Sequence, residues 1–256
     1  MFPVVFQINL GGTPLVIGSY GIMLGIAFYC AYCLLEREII LNKKNPDLAF
    51  YILLAAVLLG LIGAKIFYIF ENFQEFRSAP LQTTFSRTGL VVYGGLLLAL
   101  SGCAIIIRIY KYSVIEVFDL SSPAIAVGFA FGRIGCHVSG DGCHGIEAYN
   151  FLTLPYPNGI VPAFSPVYPT SLFESFFYFI IASSLIILRK RKRPSGFIFA
   201  IFLISMGLIR FFVEFIRVNP ILVLGLTQAQ IIAFGLITTG VAILIWQRVH
   251  LKEAHS

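Results

Sequence analysis

The chain has 256 residues, 58% of them apolar and only 12% charged, with a formal net charge of +6. Soluble domains carry about 25% charged residues, and half that charge cannot cover a water-facing surface of this size, so an ordinary soluble protein and a disordered chain are excluded. The positive balance does not point to nucleic acid either, because surplus Lys and Arg in a membrane protein mark cytoplasmic loops.

A bilayer-crossing helix needs about 20 mostly apolar residues. Seven stretches qualify: 15–35, 48–70, 89–110, 116–138, 169–188, 196–217 and 226–247. They are too long for strands and lack alternation of period two. The sequence therefore predicts an all-α membrane protein with seven transmembrane helices in a single transmembrane domain, 1–256. Between the fourth and fifth spans, residues 139–168 are rich in Gly, Pro and Tyr and read as a small extramembrane cap. No cleavable leader is expected, since the N-terminus lacks a basic stretch and a small-residue cleavage site.

With the N-terminus outside, the cytoplasmic segments hold twelve basic residues: Arg37, Lys43, Lys44, Arg108, Lys111, Arg189 to Arg193, Arg248 and Lys252. The outer segments hold Arg77 and Arg87. That asymmetry predicts an outward N-terminus, a cytoplasmic C-terminus and an outward cap. The basic run 189–193 reads as an anchor near anionic headgroups.

In chain order, Tyr20-Gly21 near the start of span one fits an interfacial aromatic belt or a cavity wall. Tyr93-Gly94-Gly95 opens span three, where paired glycines permit either close helix packing or irregular backbone beside a cavity. Span four ends in Gly132-Arg133-Ile134-Gly135-Cys136-His137-Val138-Ser139-Gly140-Asp141-Gly142. Glu174 falls in the first turns of span five. Arg210, Glu214 and Arg217 lie on span six at i, i+4 and i+7, which would put all three on one helical face. Ionisable groups in a bilayer cost several kcal/mol and default to a functional reading. An ion pair between Glu214 and Arg210 or Arg217 could simply lock helices. Two arginines against one carboxylate, however, leave positive charge for an anion, and the abundant anion in a membrane is a phospholipid phosphate, which Arg suits.

The five cysteines do not make a disulfide framework; three lie in apolar runs and read as small core residues. Cys136-His137 and Cys143-His144 admit three readings: a zinc site with unusual spacing, a disulfide on an oxidising face, or free residues lining a site, which is the leading one. No Gly-x-Ser-x-Gly elbow, His-Glu-x-x-His helix or phosphate-binding loop is present.

These motifs together resemble the bacterial prolipoprotein diacylglyceryl transferase family. The shared elements, in order, are Tyr20-Gly21, Tyr93-Gly94-Gly95, Gly132-Arg133-Ile134-Gly135, Pro169-Thr170-Ser171-Leu172-Phe173-Glu174 and Arg210-Phe211-Phe212-Val213-Glu214-Phe215-Ile216-Arg217. The resemblance implies seven spans, an outward N-terminus and a periplasmic cap in the bacterial inner membrane. It also implies transfer of the diacylglyceryl group of phosphatidylglycerol to the lipobox cysteine thiol of a preprolipoprotein, releasing glycerol phosphate. No metal, cofactor or nucleic acid is implied.

By match to the family pattern, Arg133 would hold the phosphate and Arg210 would stabilise the leaving group or activate the thiol. Tyr93 stands where the family often has a His that is a candidate base. Tyr20, Gly94, Gly95, Asp141, Glu174, Glu214 and Arg217 would line or orient the substrate site. Cys136 stands where Asn is usual, and Tyr168 and Phe173 replace a His and a Tyr. His137 or His144 could supply the missing base. The alternative is a diverged paralogue that binds or transports phospholipid, or that uses another lipid or acceptor. A seven-span receptor or ion pathway is disfavoured, because the charges gather toward one leaflet.

Overall fold

The computed structural model describes residues 1–10, 13–85, 91–191, 193–223 and 225–253. The chain opens with an antiparallel hairpin, β1 (Val4–Leu10) and β2 (Thr13–Gly18), which leads into helix α1 (Ser19–Leu41). Helix α2 (Asp47–Glu71), the short helices α3 (Phe73–Ser78) and α4 (Pro80–Phe85), and helices α5 (Val92–Ile109) and α6 (Val114–Ser139) follow. Next come the hairpin β3 (Leu154–Tyr156) and β4 (Ala163–Val167), then α7 (Thr170–Arg189) and α8 (Phe197–Val213). A small hairpin, β5 (Ile221–Val223) and β6 (Leu226–Thr227), precedes α9 (Gln228–Glu253). Arg87, Lys192 and residues 89–90 of the third expected span lie outside the described residues.

Each expected span is occupied by a helix, with ends shifted by a few residues. Among the described residues, five helical segments are long and apolar enough to cross a membrane: Asp47–Glu71, Val114–Ser139, Thr170–Arg189, Phe197–Ile216 and Gln228–Val249. Tyr93–Ile109 is apolar but shorter, and α1 carries Glu36, Arg37 and Glu38 in its last turns. The chain is thus a mostly helical, multi-pass membrane protein. The all-α expectation missed the short hairpins, whose strands are too brief to register against the long apolar runs.

Two compact units form, Glu36–Val117 and the remainder, Met1–Leu35 with Phe118–Ser256. In the first of these, α2 packs along α5. The contact is close because it runs over glycines: a Cβ added at Gly95 would stand 2.7 Å from the Gly60 carbonyl oxygen. At one end of the pair, Val91 N donates to Ala64 O at 3.1 Å. At the other, Lys44 Nζ lies 2.9 Å from Glu116 Oε1, and Asn45 N donates to Tyr112 Oη at 3.1 Å.

In the larger unit a core of Ala126 and Ala130 from α6, Tyr178, Ala182 and Leu185 from α7, and Phe202 and Met206 from α8 is fully or almost fully buried. Phe129, Phe176 and Leu208 face outward on the same helices, the distribution expected where lipid rather than water surrounds the bundle. Helix α9 packs on α8 through small residues: a Cβ at Gly207 would meet Ala233 O, and one at Gly240 would meet Ala200 O, each at 2.7 Å.

Helix α8 begins after Gly196, at φ 90°. Its orphan N–H groups are served by a carboxylate from α6. Asp119 Oδ2 accepts from Gly196 N at 2.5 Å, and Oδ1 accepts from Phe199 N at 2.7 Å. Helix N-termini favour negative charge and need acceptors, so this contact ties the start of α8 to α6. Asp119→Ala is expected to destabilise the protein by about 1–2 kcal/mol, the upper range for a lost cap. Asp119→Asn, which keeps one acceptor oxygen, should lose less. Thermal unfolding of the detergent-solubilised variants checks both; an unchanged midpoint for Asp119→Ala would show that the cap is dispensable.

Candidate active site

Arg133 lies near the C-terminal end of α6, Glu174 near the N-terminal end of α7 and Arg210 near the C-terminal end of α8. Neighbouring helices that run in alternating directions bring these three ends together. Glu174 is fully buried and is the hub of the cluster. Its Oε2 lies 2.5 Å from Arg133 Nε. Its Oε1 accepts from Arg210 Nη1 at 2.6 Å and lies 3.6 Å from Arg217 Nη1. Three guanidinium groups from α6, α8 and the segment after α8 therefore share one carboxylate.

The second carboxylate is Glu214, also buried. Its Oε2 lies 3.7 Å from Arg210 Nη2. Its Oε1 accepts from Asn219 Nδ2 at 2.6 Å and from Thr227 Oγ1 at 2.8 Å. Three arginines against two glutamates leave one unit of positive charge in the cluster. The guanidinium groups are not sealed: the side chains of Arg133 and Arg210 retain 19% and 23% of their exposure. Each guanidinium has five N–H donors in a fixed fork, more than these contacts use.

The single helical face expected for Arg210, Glu214 and Arg217 is not what forms. Helix α8 ends at Val213, Glu214–Ile216 tightens into a 3-10 turn, and Arg217 is extended at φ −94°, ψ 152°. Arg217 still reaches Glu174, because its backbone bridges to Gly145 in the cap. Ile146 N donates to Ile216 O at 2.9 Å. A Cβ at Gly145 would collide with that same carbonyl, so the close approach requires glycine there.

Around Asp141 the chain turns sharply, with Gly140 at φ 62° and Gly142 at φ 88°, conformations that favour glycine. The turn brings the Cys136 and Cys143 sulfurs and an Asp141 carboxylate oxygen within 4.8 Å of one another. Both cysteines are free thiols, which is the leading sequence reading. Arg133 Nη1 donates to Cys143 Sγ at 3.8 Å, and Thr170 Oγ1 donates to Cys143 O at 2.9 Å. The Cys143 thiol is lowered to about 7, mainly by its hydrogen bond with the Cys136 thiol and further by Arg217, against the opposing effect of burial.

The paired Cys-His set of the sequence reading does not assemble. His137 Nδ1 instead shares a hydrogen bond with Tyr156 Oη at 2.9 Å, and both ring nitrogens of His144 are buried without a partner. Tyr156 is almost fully buried on β3, and burial pushes its hydroxyl up to about 12.

Tyr20 lies over the end of α6: a Cβ at Gly135 would come within 3.3 Å of its ring and 3.1 Å of Met23 Cβ. Its hydroxyl is close enough to Arg133, Asp141, Cys136 and Cys143 to feel their charges. The structure thus brings together Tyr20, Arg133, Asp141, Glu174, Arg210, Glu214 and Arg217. Tyr93, Gly94 and Gly95 belong to the other unit, at the start of α5. There Tyr93 is 40% exposed, while Gly94 and Gly95 give close passage to Phe67 and Gly60 of α2. Cys143, Asn219, Thr227 and Tyr156 were not singled out for these contacts. A signal existed for Thr227: the run Thr227-Gln228-Ala229-Gln230 has the spacing of a capping box. Thr227 N indeed donates to Gln230 Oε1 at 3.0 Å, and Gln230 N to Thr227 Oγ1 at 3.3 Å.

The model of the family described as prolipoprotein diacylglyceryl transferase matches residues 3–246. The chain is 31% identical over 226 residues to phosphatidylglycerol–prolipoprotein diacylglyceryl transferase 2 of Clostridium perfringens, covering 87% of this chain and 88% of the relative. It is 31% identical over 232 residues to the phosphatidylglycerol–prolipoprotein diacylglyceryl transferase of Leptospira interrogans, with 78% and 71% covered. It is 30% identical over 276 residues to that of Chlorobaculum tepidum, with 99% and 92% covered.

Removing one member of a buried ion cluster leaves uncompensated charge, a loss of about 3–5 kcal/mol for a single pair. Glu174→Ala strips the counter-charge from three guanidinium groups at once and is expected to fall at or above that range, read as loss of folded protein in detergent. Glu174→Gln keeps an acceptor but not the charge and should lie between it and the native protein. Wild-type thermal stability in Glu174→Ala would show that the arginines do not depend on this carboxylate.

Proposed function

The chain belongs to the prolipoprotein diacylglyceryl transferase family, and from that premise we propose how its arginine cluster works. It is a membrane enzyme that transfers the diacylglyceryl group of phosphatidylglycerol to a prolipoprotein. The acceptor we assign is the lipobox cysteine thiol. Its sulfur attacks the glyceryl carbon next to the phosphate, the C–S bond forms as the C–O bond breaks, and glycerol phosphate leaves. The phosphodiester enters with one negative charge and departs as a monoester with up to two. A site that performs this step must hold positive charge that gains in value as the leaving group ionises.

The surplus of one positive charge among Arg133, Arg210, Arg217, Glu174 and Glu214 carries this reading. Arg133 binds the phosphate: Glu174 fixes its Nε, and the fork keeps N–H donors beyond the contact of Nη1 with Cys143. Arg210, the most exposed of the three, meets the developing charge on the leaving oxygen. Arg217 and Glu214 orient the cluster, since they are anchored to the cap and to β6. Tyr20 and Asp141 line the side of the site that the acceptor peptide enters. Gly94 and Gly95 set the path of α5 beside Tyr93.

In this reading α1 and α5 join the five long apolar helices to give seven spans. The cap, on the same side as the arginine cluster, faces the periplasm, and the basic run at the opposite end of α7 faces the cytoplasm. The N-terminus is then outside and the enzyme lies in the inner membrane. The proton of the attacking thiol goes to His144 or Tyr93. His137 is the weaker choice, because Tyr156 already occupies its Nδ1. The unpartnered ring nitrogens of His144 support His144, and the match to the family's His position supports Tyr93.

Purified protein is expected to release glycerol phosphate from phosphatidylglycerol only when a lipobox peptide is present, with the peptide gaining a diacylglyceryl thioether by mass spectrometry. Bound, intact phospholipid with no turnover would instead support a lipid-binding protein. Arg133→Ala should abolish transfer while the protein still inserts; near-native activity would remove Arg133 from the mechanism. His144→Ala is expected to lower kcat by about 100-fold, within the range for a lost general base, and Tyr93→Phe by less than about 10-fold. The reverse order would return the proton to Tyr93.

A further inference from the structure

The thiols of Cys136 and Cys143, which take no part in the proposed transfer, cluster with the carboxylate of Asp141 at the edge of the site. Among the described residues, this is the one group of three or more Cys, His, Asp or Glu side chains whose donor atoms lie close enough to hold one ion. We propose that these three residues form a binding site for a single thiophilic divalent cation of the zinc class.

Three features of the fold support it. The first is convergence. Cys136 is fixed at the end of α6, and the glycine turn at positions 140 and 142 folds the chain back so that residues five and seven positions later face it. Asp141 Oδ1 accepts from Cys143 N at 3.0 Å, which locks the turn and leaves the second carboxylate oxygen as a donor. The second is chemistry. Two sulfurs and one oxygen suit a tetrahedral d10 cation, whereas calcium and magnesium demand all-oxygen cages. Three protein donors leave one of the four positions of a tetrahedral ion open.

The third is charge. Two thiolates and a carboxylate carry three negative charges, and a divalent cation reduces them to one. That remainder sits on a thiolate beside the Arg133 guanidinium. Arg133 Nη1 already donates to Cys143 Sγ at 3.8 Å, the kind of outer hydrogen bond that stabilises a metal-bound thiolate and holds it in orientation. The side chains are partly or fully buried, so a bound ion would be sheltered from bulk water. Occupancy would pin the turn carrying Asp141 to the end of α6, beside Arg133.

The test uses the intact protein, purified in detergent and reduced with a phosphine, and reads metal binding without reference to turnover. Its failure is therefore distinct from failure of the transferase reading. Titration with cadmium is expected to saturate at one equivalent per chain with ultraviolet sulfur-to-cadmium absorption. Zinc should protect two thiols from maleimide, mapped by mass spectrometry to Cys136 and Cys143, while Cys33 stays labelled. The protection assay needs no variant, so it stands even if substitutions at the turn fail to fold. Cys143→Ser should weaken cadmium binding by at least about 100-fold and Asp141→Asn by about 10-fold, on the scale seen when ligands and their supports are removed. Cys103→Ser, far from the turn in sequence and in the other unit, should bind as the native protein does. Binding that survives both Cys136→Ser and Cys143→Ser, or maleimide labelling of these two thiols unaffected by zinc, would overturn the proposal. So would recovery of the two thiols as a disulfide that the phosphine cannot open.

Discussion

A carboxylate with no solvent exposure holds three guanidinium groups at the ends of three helices, and most of the larger unit is arranged around that fact. Burying the Glu174 carboxylate in an apolar bundle is costly without strong partners, and three arginines could not gather there without it. The cost of bringing these charges out of water makes the cluster selective about geometry. Arg133 must come from a late turn of α6, Arg210 from a late turn of α8, and Glu174 from an early turn of α7. A slip of one helix along another by a turn, about 5.4 Å, would break the contacts that helix makes, and a slip of α7 would remove Glu174 from all three arginines. The ion cluster thus sets the register of the bundle, while Ala126, Ala130, Tyr178, Ala182 and Phe202 supply its packing.

The cap reads as an extension of the same logic. Arg217 lies beyond the end of α8, where a helix could no longer direct its side chain, and it is positioned by a backbone bridge to Gly145. Glu214, in the 3-10 turn, is held by Asn219 and by Thr227 at the foot of α9. The cluster therefore draws on three stretches of chain, around Arg133, Glu174 and Arg210 to Arg217, supported by Gly145 of the cap and Thr227. Each is tied to its neighbour by hydrogen bonds to backbone or to buried acceptors, so the side chains are held before any lipid arrives. Such preorganisation is what lets fixed dipoles and charges act on a transition state without reorganising at the moment of reaction.

How much of this was legible in the sequence depended on how unusual each residue is for its setting. Arg133, Arg210, Glu214 and Arg217 are conspicuous because charge is scarce in apolar runs, and they do converge. Glu174 was equally visible as a residue but not as a role: a lone carboxylate in a span could line a cavity or anchor an ion cluster, and only tertiary contacts decide. The helical face expected for span six failed past Val213, because the chain exchanged helical hydrogen bonds for a bridge to a cap that no local pattern announces. Asp119 escaped notice for the same reason, since its partners lie about 80 residues away on α8. The hairpin Val4–Gly18 is short and apolar, and beside seven long hydrophobic runs its alternation carries little weight.

The arithmetic of charge in the cluster bears on how a transferase can turn over. Three unneutralised arginines would grip a dianionic glycerol phosphate in a low-dielectric chamber far more tightly than the singly charged substrate, and the product would stall there. Three arginines matched by three carboxylates, with no surplus, would do the opposite and offer the leaving phosphate nothing. Two glutamates against three arginines leave a single positive charge, enough to favour the charge that builds as the C–O bond breaks and small enough to release what it has made. In the proposed mechanism Glu174 and Glu214 moderate the arginines as well as aim them, and the buried carboxylate on which the bundle depends is the group that keeps product affinity within reach of release.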